Sequence, residues 1–328
     1  MKLSLLVSIC LSCLLLLPPT LAASTPVAKI QEWQVPWPDS RPRDPYVAGP
    51  DRIWFVGQKG DYVASFKPSD EDFKRYDLAP GTGPHNLIVD KRGVWYAGNQ
   101  AAHIGLLEPD TGNIDKFTLP GEGRRDVHTL HFDSKGNIWF TVQWGNQVGY
   151  FDANSKTFRT YEVATDSARP YGIIVHQDQP WIAYFASNKL ATIKNDQLVE
   201  LPLPRKQTLP RRLAVTPDNN IWYVDYGAGY LGRVNPDSGA VKEWRTPAAQ
   251  NSRPYAMASD SKGWLWLVET GVQPNRLVGF NSQTETFSEP VPIPSGGGAI
   301  RHMVYDADSH SLWFGTDANT LGQARLNN

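Results

Sequence analysis

The sequence predicts an all-β fold, a seven-bladed β-propeller built from four-stranded blades. Tryptophan recurs inside seven short apolar runs of the 328-residue chain, at positions 54, 95, 139, 181, 222, 266 and 313. The steps between neighbouring tryptophans are 41, 44, 42, 41, 44 and 47 residues. A period in the forties, with several short strands in each unit and no helical periodicity, is typical of a propeller in which each repeat is one blade.

Residues 1–23 predict a cleaved secretory signal peptide. Lys2 precedes the apolar run LSLLVSICLSCLLLL, and two prolines and several small residues follow it. The run is too short to favour a retained membrane span. We therefore expect a periplasmic or secreted protein whose mature part, residues 24–328, is one propeller domain.

Composition excludes several kinds of chemistry. Both cysteines, Cys10 and Cys13, lie in the predicted signal peptide. The mature chain would then have no disulfide, no thiolate nucleophile and no cysteine-ligated zinc. The net charge is −1, and loss of Lys2 with the signal peptide leaves −2. This charge favours neither nucleic acid nor an anionic membrane as a partner. We expect a monomer that acts on a small molecule.

The third unit shows how each blade is built. Its four predicted strands cover residues 127–133, 137–143, 147–152 and 157–163. A polar link ending in glycine joins the first two, and similar links recur at 91–93 and 261–263. Such links predict hairpin turns. The repeated tryptophan falls on the second strand, where a large aromatic side chain predicts core packing between neighbouring blades.

The last unit lacks its outer strand. It contains three predicted strands and ends with TLGQARL at residues 320–326, whereas residues 30–36 read IQEWQVP and match the outer-strand segment VKEWRTP of another unit. We expect residues 30–36 to pair beside 320–326 and to close the ring, because closure leaves no exposed sheet edge.

The starts of the seven innermost strands should meet at one mouth of the central channel. Polar and aromatic side chains converging on one axis predict a concave site for a small ligand. Alignment of the units assigns this mouth position to Tyr46, His85, His128, Tyr171, Arg211, Tyr255 and Arg301. Of these, Tyr46, Tyr171, Arg211, Tyr255 and Arg301 are expected to line the substrate pocket.

Two histidines in adjacent blades are the candidate catalytic groups. His85 and His128 share the mouth position, and Asp126 lies two residues before His128, hence on the same side of an extended segment. Gln143 falls at the mouth end of the following strand. Imidazole beside carboxylate and amide oxygens suits a general base and a cation site. The alternative is that these are ordinary polar residues at a solvated channel mouth.

The repeated motifs resemble those of the virginiamycin B lyase (streptogramin lyase) family of seven-bladed propellers. The segments RPYGI at 169–173 and RPYAM at 253–257 carry the first motif, and NQVG at 146–149 and YLGR at 230–233 carry the second. The resemblance extends over residues 28–326. These motifs are specific for the fold and less specific for the activity.

The resemblance implies a carbon–oxygen lyase that opens a cyclic depsipeptide at its ester by elimination. Carried over by position, the family's histidine pair falls on His85 and His128, with His128 as the base and His85 as a partner for an oxygen of the substrate. The family's metal-site carboxylates fall on Asp126, where the family has glutamate, and on Gln143, which is neutral. Mg²⁺ would be held by Asp126 and Gln143. Because Gln143 is neutral where the family has a carboxylate, the affinity for Mg²⁺ would be weaker.

Two other functions remain open at this level. One is a non-catalytic propeller that binds a small ligand or a peptide through the same mouth. The other is a metal-dependent lactone or ester hydrolase, although the several carboxylates that would surround its cation are not evident in the sequence. Without a metal, Arg211 and Arg301 would supply the positive charge that an elimination needs.

Overall fold

The computed structural model describes residues 27–328, which form seven antiparallel β-sheets arranged as blades. The predicted signal peptide lies outside the described residues. The first three blades are as follows: blade 1, β2 (Pro42–Val47), β3 (Ile53–Gly57), β4 (Tyr62–Lys67) and β5 (Asp72–Asp77); blade 2, β6 (Pro84–Asp90), β7 (Gly93–Gly98), β8 (His103–Leu107) and β9 (Ile114–Thr118); blade 3, β10 (Val127–Phe132), β11 (Ile138–Val142), β12 (Gln147–Asp152) and β13 (Thr157–Glu162).

Blades 4 to 6 repeat this order: blade 4, β14 (Pro170–His176), β15 (Gln179–Tyr184), β16 (Lys189–Lys194) and β17 (Gln197–Pro202); blade 5, β18 (Pro210–Val215), β19 (Ile221–Asp225), β20 (Tyr230–Val234) and β21 (Val241–Arg245); blade 6, β22 (Pro254–Ser259), β23 (Trp264–Glu269), β24 (Arg276–Asn281), β25 (Thr286–Phe287) and β26 (Val291–Pro292). Both β25 and β26 pair with β24, so the outer strand of blade 6 is interrupted. One short 3₁₀ helix, Ala249–Asn251, precedes blade 6, and no helix within residues 27–328 is long and apolar enough to cross a membrane.

Blade 7 joins the two ends of the chain, as the sequence predicts. It contains β27 (Met303–Asp306), β28 (Ser311–Gly315), β29 (Thr320–Leu326) and, as its outer strand, β1 (Ala28–Gln34). The register of β1 on β29 runs from Ala28 opposite Leu326 to Gln34 opposite Thr320. The predicted closure is confirmed, with the closing strand two residues earlier than the predicted 30–36, and the seven-bladed fold class is confirmed with it.

The repeated tryptophans pack between blades. Trp95 of blade 2 belongs to a buried cluster that includes Phe140 and Phe151 of blade 3. Trp313 of blade 7 packs in the same way with Phe55 and Phe66 of blade 1. Burial of such large rings dominates the core energetically, which confirms the structural role predicted for the tryptophan repeat.

The glycine of the NQVG motif is explained by the same packing. Gly149 pairs with Phe140 across β11 and β12, and a Cβ on Gly149 would lie 2.1 Å from the Phe140 ring. Only a residue without a side chain admits the aromatic ring at this point. The motif therefore serves the blade interior and carries no catalytic information.

Candidate functional site at one mouth of the channel

A β-bulge near the start of the innermost strand builds the site. In blade 3, Val127 pairs with Val142 and Leu130 with Phe140, so that His128 is in the irregular segment between them. The same shift occurs in all of blades 1 to 6. A bulge re-aims side chains, and here two consecutive residues of one strand contact other blades across the channel. The first bulge position is held by Arg43, His85, His128, Tyr171, Arg211 and Tyr255, and the second by Asp44, Asn86, Thr129, Gly172, Arg212 and Ala256.

The strand register corrects one member of the predicted ring. Tyr46 pairs with Trp54, as Ile88 pairs with Trp95 in blade 2, which places Tyr46 three residues beyond the mouth position. Arg43 occupies that position instead. The sequence alignment was misled because Pro45-Tyr46 resembles the Pro-Tyr of the RPYGI motif. The pairing of Tyr46 with Trp54 shows the correct register. Tyr46 packs with the apolar clusters beneath the mouth.

The imidazole rings of His85 and His128 are in contact, with their planes inclined by 38°. Their ring centroids are 3.6 Å apart, and the side chains are 4% and 1% exposed. His128 Nδ1 lies 2.9 Å from Thr129 Oγ1, whereas His128 Nε2 and His85 Nδ1 have no hydrogen-bond partner among residues 27–328. Burial lowers the pKa of both imidazoles well below the usual value, and nearby arginines lower it further. Both rings are therefore neutral near pH 7.

Asp126 does not join the histidine pair. Its carboxylate accepts hydrogen bonds from the backbone N–H groups of Trp144, at 3.0 Å, and Gly145, at 3.1 Å. Asp126 lies before β10 in a tight turn closed by the Val127 N–H and the Arg125 carbonyl. Side chains alternate between two faces only within an extended strand, and Asp126 lies in the turn before it. The prediction that Asp126 and His128 face the same side is therefore wrong. Burial raises the pKa of Asp126, and it lines a separate recess of about 650 Å³.

Asp44 of blade 1 supplies a buried carboxylate to the site. It accepts hydrogen bonds from Arg43 Nε at 3.0 Å, Arg212 Nη2 at 3.2 Å and Asn86 Nδ2 at 3.1 Å. Burial acts to raise its pKa, but Arg43 and Arg212 outweigh burial and hold the pKa far below the usual range. Asp44 is therefore ionised, and its φ of 47° lies in the left-handed region that non-glycine residues rarely adopt.

Arg212 crosses the channel beneath the histidines. Its guanidinium donates to Asp44, to Thr129 Oγ1 at 3.2 Å and to the Arg301 carbonyl at 2.9 Å. These bonds join blades 1, 3, 5 and 7 on the axis. The sequence analysis did not predict Arg212 as a site residue, because in a regular strand the neighbour of Arg211 would point away from the mouth. The two consecutive arginines were the one feature of the sequence that could have indicated it.

Four other predicted ring residues gather around the pair. The Tyr171 ring centroid lies 4.2 Å from that of His128, and the hydroxyls of Tyr171 and Tyr255 are hydrogen-bonded. Arg211 lies 4.4 Å from the Tyr255 ring centroid, and Arg301 forms an ion pair with Asp317 at the rim.

The electrostatic potential around Tyr171 is positive. Burial acts to raise the pKa of its phenol, yet Arg212, Arg43 and Arg211 together lower it below the usual value. Burial raises the pKa of the hydrogen-bonded partner Tyr255, so only one of the two phenols shifts towards its anion. The arginines that act on Tyr171 would also attract another anion at that place. The mouth therefore suits a negative charge.

The residues present do not fit the magnesium site that the resemblance implies. Within residues 27–328, no three His, Cys, Asp or Glu side chains form a group able to hold a metal ion. The oxygens of Asp126 point to backbone N–H groups, and Gln143, half-buried beyond the end of β11, has no hydrogen bond to either histidine in this part of the chain. Several arginines surround His85 and His128, and a divalent cation there would be repelled.

The roomy part of the channel lies on the other side of Arg212. This cavity has a volume of about 250 Å³ and is lined mainly by apolar residues from later positions of the innermost strands, among them Leu87, Leu130, Ile173 and Met257. At the mouth itself, His85, His128, Tyr171, Arg211 and Tyr255 are at most 8% exposed. The expected open pocket is thus a closely packed group of side chains.

Comparisons with solved structures show which proteins share this architecture. A virginiamycin B lyase from Staphylococcus aureus superimposes with a TM-score of 0.82, at 24% identity, covering 91% of this chain and 99% of the lyase. A streptogramin B lyase structure gives the same TM-score and identity over 92% and 98% of the two chains. The extracellular domain of a one-component system from B. thetaiotaomicron gives 0.72 at 15% identity, covering 92% of this chain and 40% of that chain. At these identities the likeness concerns the fold alone.

The sequence itself carries the family assignment. No curated protein matches it significantly. The sequence profile of the virginiamycin B lyase family matches residues 20–193, more than half of the chain and including His85, His128 and Asp126. By this match the chain belongs to the virginiamycin B lyase family.

Proposed function

We propose that this protein is an exported lyase that opens a cyclic ester or depsipeptide by elimination at the channel mouth. The observation that carries the proposal is the pair of buried, neutral, contacting imidazoles of His85 and His128. Family membership supports the reaction class. The expected signal peptide supports export, and the absence of basic character in the whole chain supports a small-molecule substrate.

His128 is the proposed base. When its Nδ1–H donates to Thr129 Oγ1, Nε2 carries a free lone pair, and this atom has no partner among the described residues. Nε2 would take the proton α to a carbonyl. The electrons of that C–H bond form the Cα–Cβ double bond, the Cβ–O ester bond breaks, and its electrons leave with the carboxylate. The imidazolium then returns the proton to solvent.

Arginine would provide the charge stabilisation that the reaction needs. Negative charge develops on the carbonyl oxygen and then on the leaving carboxylate, and fixed positive groups lower the energy of both. Arg43 and Arg212 interact electrostatically with both histidines, and Arg211 with His128. His85, 3.6 Å from His128 between ring centroids, would donate a hydrogen bond to a substrate oxygen. No step requires a metal.

The close packing of the mouth favours a second candidate, a propeller that binds a ligand without transforming it. The ring side chains are nearly inaccessible, so a large cyclic substrate must displace some of them. Both candidates predict binding at the mouth, and only the first predicts bond breakage.

The test is turnover of quinupristin, which is bound in a structure of an inactive variant of the Staphylococcus aureus lyase. Elimination yields a ring-opened isomer of unchanged mass, whereas hydrolysis adds the mass of one water. We expect the isomer with wild-type protein and a loss of at least about 100-fold in His128→Ala, the usual scale for a general base. His176→Ala, at the far end of β14, is the matched control and should retain activity. If wild type gives no product from this or other cyclic esters, the binding propeller replaces the lyase.

A further inference from the structure

Arg211 is a buried cation without a counter-ion. It is 8% exposed, and no carboxylate lies within 4.0 Å of its guanidinium among residues 27–328. Aromatic rings surround it instead: the guanidinium carbon lies 3.6 Å from the centroid of Phe185, 3.9 Å from Tyr226 and 4.4 Å from Tyr255. Cation–π contacts offset part of the desolvation cost, but they give the in-plane N–H groups no acceptor.

The neighbouring arginines also lack sufficient counter-ions. Arg43 and Arg212 share the single carboxylate of Asp44, and Arg41 and Arg301 share that of Asp317. Within residues 27–328, these four arginines and Arg211 thus have two partner carboxylates between them. Three positive charges remain uncompensated.

Two buried donor atoms point to the same deficit. Arg211 Nε and Arg43 Nη2 have no hydrogen-bond partner within the described part of the chain. Arg43 and Arg211 both interact with Tyr171 and Tyr255, so the two side chains approach the mouth from different blades. A buried donor without an acceptor costs free energy, so each one needs a physical reason, and a bound water, ion or ligand is one such reason.

We infer that the mouth binds a carboxylate group of its ligand on Arg211, with Arg43 as a second donor, and that the ligand of this propeller is a carboxylic acid anion. The planar fork of a guanidinium matches a carboxylate through two parallel N–H···O bonds. The rings of Phe185, Tyr226 and Tyr255 provide apolar surface beside that fork, which suits a carboxylate on an aromatic or alkyl body better than a strongly hydrated phosphate.

This inference adds a substrate class to the proposed function and is tested by binding alone. If the lyase proposal also holds, the cyclic ester would carry a carboxylate, or its ring-opened product would be retained through the carboxylate that elimination releases. If no ester is turned over, the lyase proposal fails but the carboxylate site can still be shown by binding. If no carboxylate binds, this inference fails but neutral esters can still be turned over.

The experiment uses the mature protein and three probes: benzoate, its neutral counterpart benzamide, and inorganic phosphate at matched ionic strength. Calorimetric titration and thermal melts measure binding. We expect benzoate to bind and to raise the melting temperature with concentration, as a ligand specific for the folded state must. Benzamide and phosphate should have no comparable effect.

Arg211→Met separates a binding role from a structural one. Removal of an uncompensated buried charge should leave the melting temperature unchanged or higher, while benzoate binding weakens at least about tenfold, the scale of a charged hydrogen bond. Arg245→Met, which removes an exposed arginine from β21, is the control and should bind benzoate as wild type does. The inference is overturned if benzoate has no effect, if benzamide or phosphate matches it, or if Arg211→Met binds benzoate with wild-type affinity.

Discussion

Arg212 of blade 5 donates a hydrogen bond to Asp44 of blade 1 across the channel axis, with a distance of 3.2 Å between Nη2 and Oδ2. Both side chains are at most 3% exposed. The pair links blades that are far apart in the ring and separates the histidine-bearing mouth from the apolar cavity below.

Asp44→Asn should destabilise the fold strongly. Loss of the carboxylate leaves Arg43 and Arg212 as buried charges without their partner, which costs about 3–5 kcal/mol of unfolding free energy. Urea denaturation measures the loss. Asp70→Asn, which breaks a solvent-exposed pair with Lys67, is the control and should leave stability nearly unchanged, because water screens such pairs. Equal stability of the two variants would contradict a structural role for the axial pair.

Stability should fall as the pH is lowered from about 6.5 towards 4. His302 follows the ring residue Arg301 and lines the apolar cavity. Burial lowers the pKa of His302 to about 4, with Arg212 and Arg43 acting in the same direction and Asp44 opposing them. Since the ordinary value is about 6.5, the unfolded chain binds more protons in this window, and unfolding becomes easier as the pH drops. Denaturant titrations at several pH values should show a shallower slope for His302→Asn. An unchanged slope would show that other groups control the acid sensitivity.

Acid should also weaken the fold through Asp44. Its folded pKa is depressed, so its contribution is present above the unfolded value of about 3.9 and is lost as the pH falls below it. Asp44→Asn should therefore show less further loss of stability below pH 4 than wild type. The same denaturant titrations, extended below pH 4, measure this. A parallel decline in both proteins would contradict the assignment.

Deletion of residues 27–35 should open the ring. It removes β1 from β29 and uncovers Trp313, which stacks on Trp33 at 5.5 Å between centroids. We expect a loss of more than about 3 kcal/mol, the scale of truncating a large buried aromatic side chain. Thermal and urea unfolding measure it, with Gln31→Ala, an exposed position of the same strand, as the control. A deletion variant that melts like wild type would mean that the seventh blade is stable with three strands.

Removal of divalent cations should leave the protein unchanged. The mouth carries excess positive charge, and Asp126 is occupied by backbone N–H groups, so neither EDTA nor added Mg²⁺ should shift the melting temperature. Gln143→Glu should not create a magnesium site for the same reason. Isothermal titration with Mg²⁺ provides a second measurement. Stabilisation by Mg²⁺ that disappears in Asp126→Ala would restore the metal site implied by the resemblance.

The sequence by itself was sufficient for the fold. Each tryptophan marks the second strand of one blade, and a large aromatic residue that recurs every 41–47 residues indicates one repeated packing environment. The match between IQEWQVP and an outer strand likewise predicted ring closure, since an unpaired edge would remain otherwise. The same spacing also identified six of the seven mouth residues, and the positions of His85 and His128 were among them.

Only the tertiary structure shows which side chains contact one another at the mouth. Arg43 replaces Tyr46 in the ring because the pairing of β2 with β3 sets the register, and this pairing is a hydrogen-bond pattern that no local motif specifies. Asp44 and Arg212 meet because a bulge turns two consecutive residues towards the axis, against the alternation expected of a regular strand. Asp126 does not reach the histidines because it lies in a turn just before β10. Contacts across a closed ring depend on the geometry of all seven blades together, and therefore only the folded chain shows them.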